Sequence, residues 1–168
     1  IALRVASLVE VVSPLLDTLE VLHKRGRFLG AFHPEHFVVH SDQAHPLWPL
    51  PLSSRLPPLE GLTLTAPDAR CHVGYAPPEA YGHYQGELSE RSDVFSVGMW
   101  LFYALTGLAP LEETRQPTRR LPSVRVYHPC VSPELEAVVR KATSPVPSRR
   151  YPNAMMLRDA LRWAAHMS

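Results

Sequence analysis

Apolar residues recur at three- and four-residue steps between Ala2 and His23, through Leu3, Leu8, Val12, Leu15, Leu16, Leu19 and Leu22. That spacing predicts an amphipathic helix, with Gly26 as its stop. Pro14 interrupts the pattern, because inside a helix it removes a hydrogen bond and crowds the carbonyl four residues back. Either the helix bends there, or Ser13 caps a second helix with Pro14 in its first position. Phe37-Val38-Val39 then reads as a short strand. From His45 to Pro78 the chain is rich in proline and has no helical period, so it is read as loop with at most one or two short strands.

The segment SDVFSVGMWLFYALT, Ser92 to Thr106, is apolar on nearly every side, which for a helix means burial all round. Gly107 supplies its stop. Ser132-Pro133-Glu134 places a cap, a first-turn proline and a first-turn acid ahead of Leu135, Val138, Val139 and Ala142, the start of another helix. A last helix is expected from about Asn153 to His166, capped by Asn153 and carrying Leu157, Ala160, Leu161 and Ala164 on one face. Helices dominate, strands are minor, and no internal repeat stands out.

Composition narrows the picture. A chain of 168 residues with 45% hydrophobic content suits one domain with a buried core. A formal charge of +1 gives no broad electrostatic footprint for nucleic acid or anionic lipid. Cys71 and Cys130 lie far apart without a CxxC spacing and are read as free thiols in a reducing compartment. The longest apolar run, Val94 to Leu105, is interrupted by Ser96 and Gly98 and falls short of the ~20 residues of a membrane span. Residue 1 is Ile and the pattern opens mid-fold, so the natural N-terminus is expected upstream.

Nine histidines raise the question of a metal, yet no HExxH or Cys-pair arrangement occurs, and His33 with His36 is only a two-ligand spacing. No metal site is expected. Arg115, Arg119, Arg120 and Arg125 precede the Ser132-capped helix and read as a solvated face.

Four segments, taken in order, resemble the C-terminal lobe of eukaryotic-type Ser/Thr protein kinases over nearly the whole chain. LEVLHKRG at Leu19–Gly26 is similar to the end of the helix that precedes the kinase catalytic loop. GYAPPEA at Gly74–Ala80 resembles the loop ending in the family's APE motif, and SDVFSVGMWLFYALTG at Ser92–Gly107 its buried central helix. SRRYPNA at Ser148–Ala154 is similar to the arginine-bearing segment that opens the last helix. The resemblance implies a mainly α kinase-like C-lobe, a helical bundle with a short β-ribbon, occupying residues 1–168 as a partial domain. It also implies an N-lobe upstream in a longer parent protein.

The resemblance breaks at the catalytic loop. LGAFHPEHFVV, Leu29 to Val39, aligns with the HRDxKPEN pattern through Pro34 and Glu35. In that register Leu29 replaces the His, Gly30 the Arg and Ala31 the catalytic Asp, whose carboxylate would orient and deprotonate the substrate hydroxyl. His33 stands at the phosphate-side Lys and His36 at the metal-binding Asn, where imidazole is a poor ligand for Mg²⁺. The DFG position falls on Pro49-Leu50-Pro51, and Asp-Phe-Gly occurs nowhere in the chain; Asp42 and Asp68 have the wrong neighbours. With Gly30 in place of the Arg that holds a phosphorylated activation loop, Thr63 and Thr65 are read as ordinary loop residues.

What the resemblance retains is scaffold: Glu79 and Arg150 match a buried structural ion pair, and Asp93 matches the aspartate that braces the catalytic-loop backbone, with a first-turn acid on the helix dipole as its alternative. The expectation is thus a catalytically inactive, pseudokinase-type module that regulates or binds a protein partner in signalling, with no cofactor, no nucleic acid and no membrane segment, in the cytoplasm. The alternative is a divergent Ser/Thr kinase that retains ATP and Mg²⁺ and uses His33 or His36, or pairs with an active half; a third reading is a purely structural domain. Trp48 and Leu50 are either a docking surface or a plug for the emptied nucleotide side.

Overall fold

A computed structural model describes residues 5–30, 37–39, 47–49, 74–82, 87–108 and 121–167. Its elements are α1 (Val5–His23), β1 (Phe37–Val39), β2 (Leu47–Pro49), a 3₁₀ turn (Pro78–Tyr81), α2 (Glu90–Thr106), α3 (Val124–Tyr127), α4 (Pro133–Ala142), a second 3₁₀ turn (Pro147–Arg149) and α5 (Ala154–His166). β1 and β2 form an antiparallel ribbon in which Phe37 faces Pro49, Val38 faces Trp48 and Val39 faces Leu47. The chain is mainly helical, and the ribbon is its only sheet among the described residues.

α1 runs as one helix straight through Pro14, so of the two arrangements open in the sequence the second helix capped by Ser13 does not form. Leu8 and Val12 before the proline and Leu15, Leu16 and Leu19 after it are all buried in the same core. Each such side chain contributes roughly 1.5–3 kcal/mol by burial, which together outweighs the ~3 kcal/mol cost of an interior proline.

α2 is the axis of the bundle and packs against α1, α3, α4 and α5. Its first turn is tied down by the Ser89 N–H, which donates to Ser92 Oγ at 3.1 Å, and its end by the Gly107 N–H, which donates to the Tyr103 carbonyl at 2.7 Å. α4 and α5 begin where their caps place them: Ser132 Oγ accepts from the Leu135 N–H at 3.2 Å and Asn153 Oδ1 from the Met156 N–H at 3.0 Å. α3 is a single turn tied to α4 by a hydrogen bond from the Ser123 hydroxyl to Glu136 Oε1. Together with the Arg140 and Arg125 charges, that bond holds the Glu136 carboxyl below its ordinary range against the opposing effect of burial.

α2 and the end of α4 approach each other closely at Gly98. A Cβ added at Gly98 would lie 2.8 Å from Ala142 Cβ and 2.9 Å from Thr143 Cγ2, with the Ala142 carbonyl carbon at 3.2 Å. The obstructing atoms are short side chains and backbone, which cannot swing away. Gly98→Ala is therefore expected to destabilise the chain by about 1–3 kcal/mol through overpacking, even though alanine is the better helix former. Chemical denaturation of the two proteins checks this, and an equal or higher midpoint for the variant would show that the helices separate without cost.

Candidate functional site

At the base of α2, two adjacent residues hold two different parts of the chain. Asp93 is fully buried. Its Oδ1 accepts the Gly30 N–H at 2.7 Å, and both carboxylate oxygens accept the Leu29 N–H, at 3.1 and 2.9 Å. On its other side Oδ2 lies 2.9 Å from His23 Nε2. His23 Nδ1 in turn accepts the Ala154 N–H, the first of α5, at 3.2 Å. The proton of the imidazole therefore sits on Nε2 and is donated to Asp93. A continuous polar chain thus joins the start of α5, through His23 and Asp93, to the backbone of residues 29 and 30. A carboxylate accepting this many donors is satisfied despite complete burial.

His23 is not singled out by the sequence reading, although a signal was present. It continues the stripe of Leu16 and Leu19 at helical spacing, so it had to be buried, and a buried imidazole needs partners for both nitrogens. The sequence resemblance sets Gly30 opposite an arginine but does not convey its conformation. Gly30 sits at φ +81°, in the left-handed region, and a Cβ there would meet Leu88 Cδ1 at 3.1 Å. A glycine takes this backbone without strain, whereas a side chain costs roughly 1–2 kcal/mol.

Ser92, next to Asp93, points the opposite way and donates to Glu79 Oε1 at 2.8 Å. Glu79, on the 3₁₀ turn after Pro77, and Arg150, just before α5, form a forked ion pair: Nη1 to Oε1 at 2.6 Å and Nη2 to Oε2 at 2.8 Å. Both side chains have zero exposure. Arg150 also donates to the carbonyls of Ser144 (2.7 Å), Arg91 (3.0 Å) and Pro145 (3.2 Å), and its guanidinium lies 4.7 Å from the centre of the Phe95 ring. Arg91 returns the contact by donating to the Arg150 carbonyl at 2.9 Å. Ser96 fixes the neighbouring strand of chain by donating to the Tyr75 carbonyl at 3.0 Å.

Of the positions that the resemblance aligns with a catalytic loop, Ala31, His33 and His36 lie outside the described residues, as do Asp42, Thr63, Thr65, Asp68, Leu50, Cys71, Arg115, Arg119 and Arg120. Pro49 is the last residue of β2, paired with Phe37. Arg125 is exposed on α3, and Cys130 is an exposed free thiol. Among the described residues no group of three or more His, Cys, Asp or Glu side chains could hold a metal ion, and no helix is long and apolar enough to cross a membrane.

Arg150→Met leaves the Glu79 carboxylate buried with, among the described residues, only the Ser92 hydroxyl donating to it, and a loss of ~3–5 kcal/mol in unfolding free energy is expected. Gly30→Ala is expected to cost about 1–3 kcal/mol from backbone strain and crowding together, and adding Leu88→Ala should recover only the crowding part. Denaturation midpoints of the single and double variants measure both. A Gly30→Ala protein as stable as the parent would mean that the loop does not hold the left-handed turn.

The chain is similar in sequence and in fold to known proteins. No protein-family model matches the chain. It is 27% identical over 176 residues to the serine/threonine-protein kinase pkn3 of Myxococcus xanthus, covering 92% of this chain and 30% of that protein. It is 26% identical over 168 residues to the serine/threonine-protein kinase PknB of Mycolicibacterium smegmatis, covering 91% and 25% respectively. A shorter stretch of 62 residues, 37% of this chain, is 39% identical to the serine/threonine-protein kinase PCRK1 of Arabidopsis thaliana. Among solved structures, the kinase domain of Mycobacterium tuberculosis PknI superposes with a TM-score of 0.70 at 19% identity, covering 98% of this chain and 57% of that one. A second structure of that domain gives 0.71 at 18% identity. The chain therefore spans less than a third of the curated kinases it matches and little more than half of the solved domain. Matching that part of the domain in both sequence and shape, it has the protein kinase-like fold of the helical C-terminal lobe.

Proposed function

We propose that this lobe is non-catalytic, a pseudokinase-type module that regulates or binds a protein partner in signalling, and that it works in the cytoplasm. The observation that carries this reading is in the catalytic-loop sequence: Ala31 stands where the base would be, His33 at the phosphate-side lysine and His36 at a metal ligand, with no Asp-Phe-Gly anywhere in the chain. An alanine methyl accepts no proton, and the loss of base, metal ligands and phosphate-side cation each costs powers of ten in rate. The donor set does not fit Mg²⁺, which prefers hard oxygen ligands in octahedral geometry.

The supporting consideration is that the residues with purely architectural work, Asp93, Glu79 and Arg150, are present and fully engaged. They would serve a displayed surface as well as an active enzyme. In this reading the lobe has no bound cofactor, and its partners are proteins.

A second reading, a divergent Ser/Thr kinase that keeps ATP binding and weak phosphotransfer, is favoured by one fact: the relatives at 26–27% identity are named as serine/threonine kinases. A thermal shift of the parent protein, carrying this lobe and whatever precedes it, separates the two. A ligand that binds only the folded state raises stability in proportion to the logarithm of its concentration over its Kd. The expected outcome is no Mg²⁺-dependent shift at millimolar ATP and no labelled phosphate transferred to a generic acceptor, with Ala31→Asp failing to restore transfer. A clear Mg²⁺-dependent rise accompanied by transfer would overturn the non-catalytic reading.

A further inference from the structure

We propose that Ser123 is a phosphorylation site, modified by another Ser/Thr kinase whose peptide groove selects arginine ahead of the acceptor, and that the phosphate releases α3 from α4. The phosphate comes from a separate enzyme, so the proposal stands whether or not this lobe is itself catalytic.

Ser123 occupies the N-cap of α3 but makes no capping bond with its side chain. Its hydroxyl donates instead to Glu136 Oε1 on α4, thirteen residues on. The rest of the anchorage is slight. α3 is one turn with Val124 as its buried residue, while Val126 and Tyr127 are 72% and 47% exposed. A single turn has too few internal hydrogen bonds to hold itself, so it opens far more readily than the bundle unfolds. Ser123 is half-buried, and the opening of α3 is what presents its hydroxyl. The oxygen to be modified is thus the latch of a weakly held element.

The chain around this hydroxyl has the form and the composition that an arginine-directed kinase takes. Leu121, Pro122 and Ser123 lie outside any helix, Pro122 is exposed, and Ser123 is extended at φ −62° and ψ 129°. A kinase groove binds its acceptor segment extended, and Pro122 presets that conformation. In sequence Arg119 and Arg120 stand four and three residues ahead of Ser123, and Arg125 two residues behind it. Guanidinium groups so placed pair with carboxylates that line such a groove. Arg119 and Arg120 thereby gain a purpose beyond that of a solvated face.

In the transfer the Ser123 oxygen bonds to the γ-phosphorus of ATP and the bond from that phosphorus to its bridging oxygen breaks. ADP leaves, and the hydroxyl proton passes to the base of the modifying kinase. The product cannot keep the latch. Its ester oxygen has no proton to donate, and a group of about −1.5 to −2 charges would stand against the Glu136 carboxylate. Arg140, whose Nη2 lies 3.6 Å from Glu136 Oε2, and Arg125 already attend that carboxylate and cannot balance both anions. α3 therefore leaves α4 and carries Val126 and Tyr127 with it.

The test is to incubate the full chain with Mg²⁺, labelled ATP and a purified kinase selective for arginine three residues ahead of its acceptor. Close to one phosphate per chain is expected, mapped to Ser123 by peptide mass spectrometry and absent from Ser123→Ala. Transfer should be about tenfold slower in Arg120→Ala, which loses a charge-assisted pair with the groove. Glu136→Gln, which weakens the latch without touching the recognised segment, should speed it about threefold. Amide exchange across residues 121–128 should quicken about tenfold on phosphorylation while that of α5 is unchanged. A peptide of residues 115–127 that accepts phosphate while Ser123 of the folded chain does not would overturn the proposal, because the fold then shields the hydroxyl. Label found only at other residues, or in neither peptide nor chain, overturns it as well. A rate that Glu136→Gln leaves unchanged, or an exchange pattern that phosphorylation does not alter, overturns the latch.

Discussion

The buried guanidinium of Arg150 is the point on which the assembly of this lobe depends. An arginine carries five N–H donors, and burial makes each of them costly unless it is met. Here Glu79 takes two in a fork, and the carbonyls of Ser144, Arg91 and Pro145 take three more. Those partners come from the segment before α2, the first turn of α2 and the connection between α4 and α5. The charge fixes them because it can be satisfied in only one arrangement, so the pair acts chiefly as a specifier of geometry; as a net source of stability a buried ion pair is weak.

A second polar network begins one residue away. Ser92 faces Glu79, and Asp93 faces the loop after α1, so the first turn of α2 distributes both networks. Through His23, Asp93 also reaches the first N–H of α5, a donor that no intrahelical carbonyl can satisfy. The apolar bundle explains why α1, α2, α4 and α5 pack at all. The two networks explain why their ends, where loops enter and leave, are held in one register.

Much of this was readable in the sequence, and the unreadable part has physical reasons. The helices were legible because burial imposes a period and caps impose residue types: Ser132 and Asn153 sit at the N-caps of α4 and α5, and Gly107 at the stop of α2. The path of α1 through Pro14 does not follow from the sequence, since a local cost has to be weighed against burial of leucines that only the fold brings together. α3 and the 3₁₀ turns are too short to carry a period. The positions of Glu79, Arg150 and Asp93 came from a resemblance, not from spacing; what no motif conveyed was the left-handed turn at Gly30, the role of His23 and the close approach at Gly98.

The way the loop is braced bears on which of its side chains the fold itself requires. Asp93 grips residues 29 and 30 by their backbone N–H groups, and a backbone amide is the same whatever side chain it carries. The brace is therefore indifferent to whether position 29 is Leu or His. At position 30 the indifference ends, because the left-handed conformation and the nearness of Leu88 favour the glycine that is there. An arginine at that position would have to be held against strain by something it gains, such as a phosphate to bind. Glycine takes this braced turn without that strain, so the brace by itself makes no demand on the side chains of residues 29 and 30.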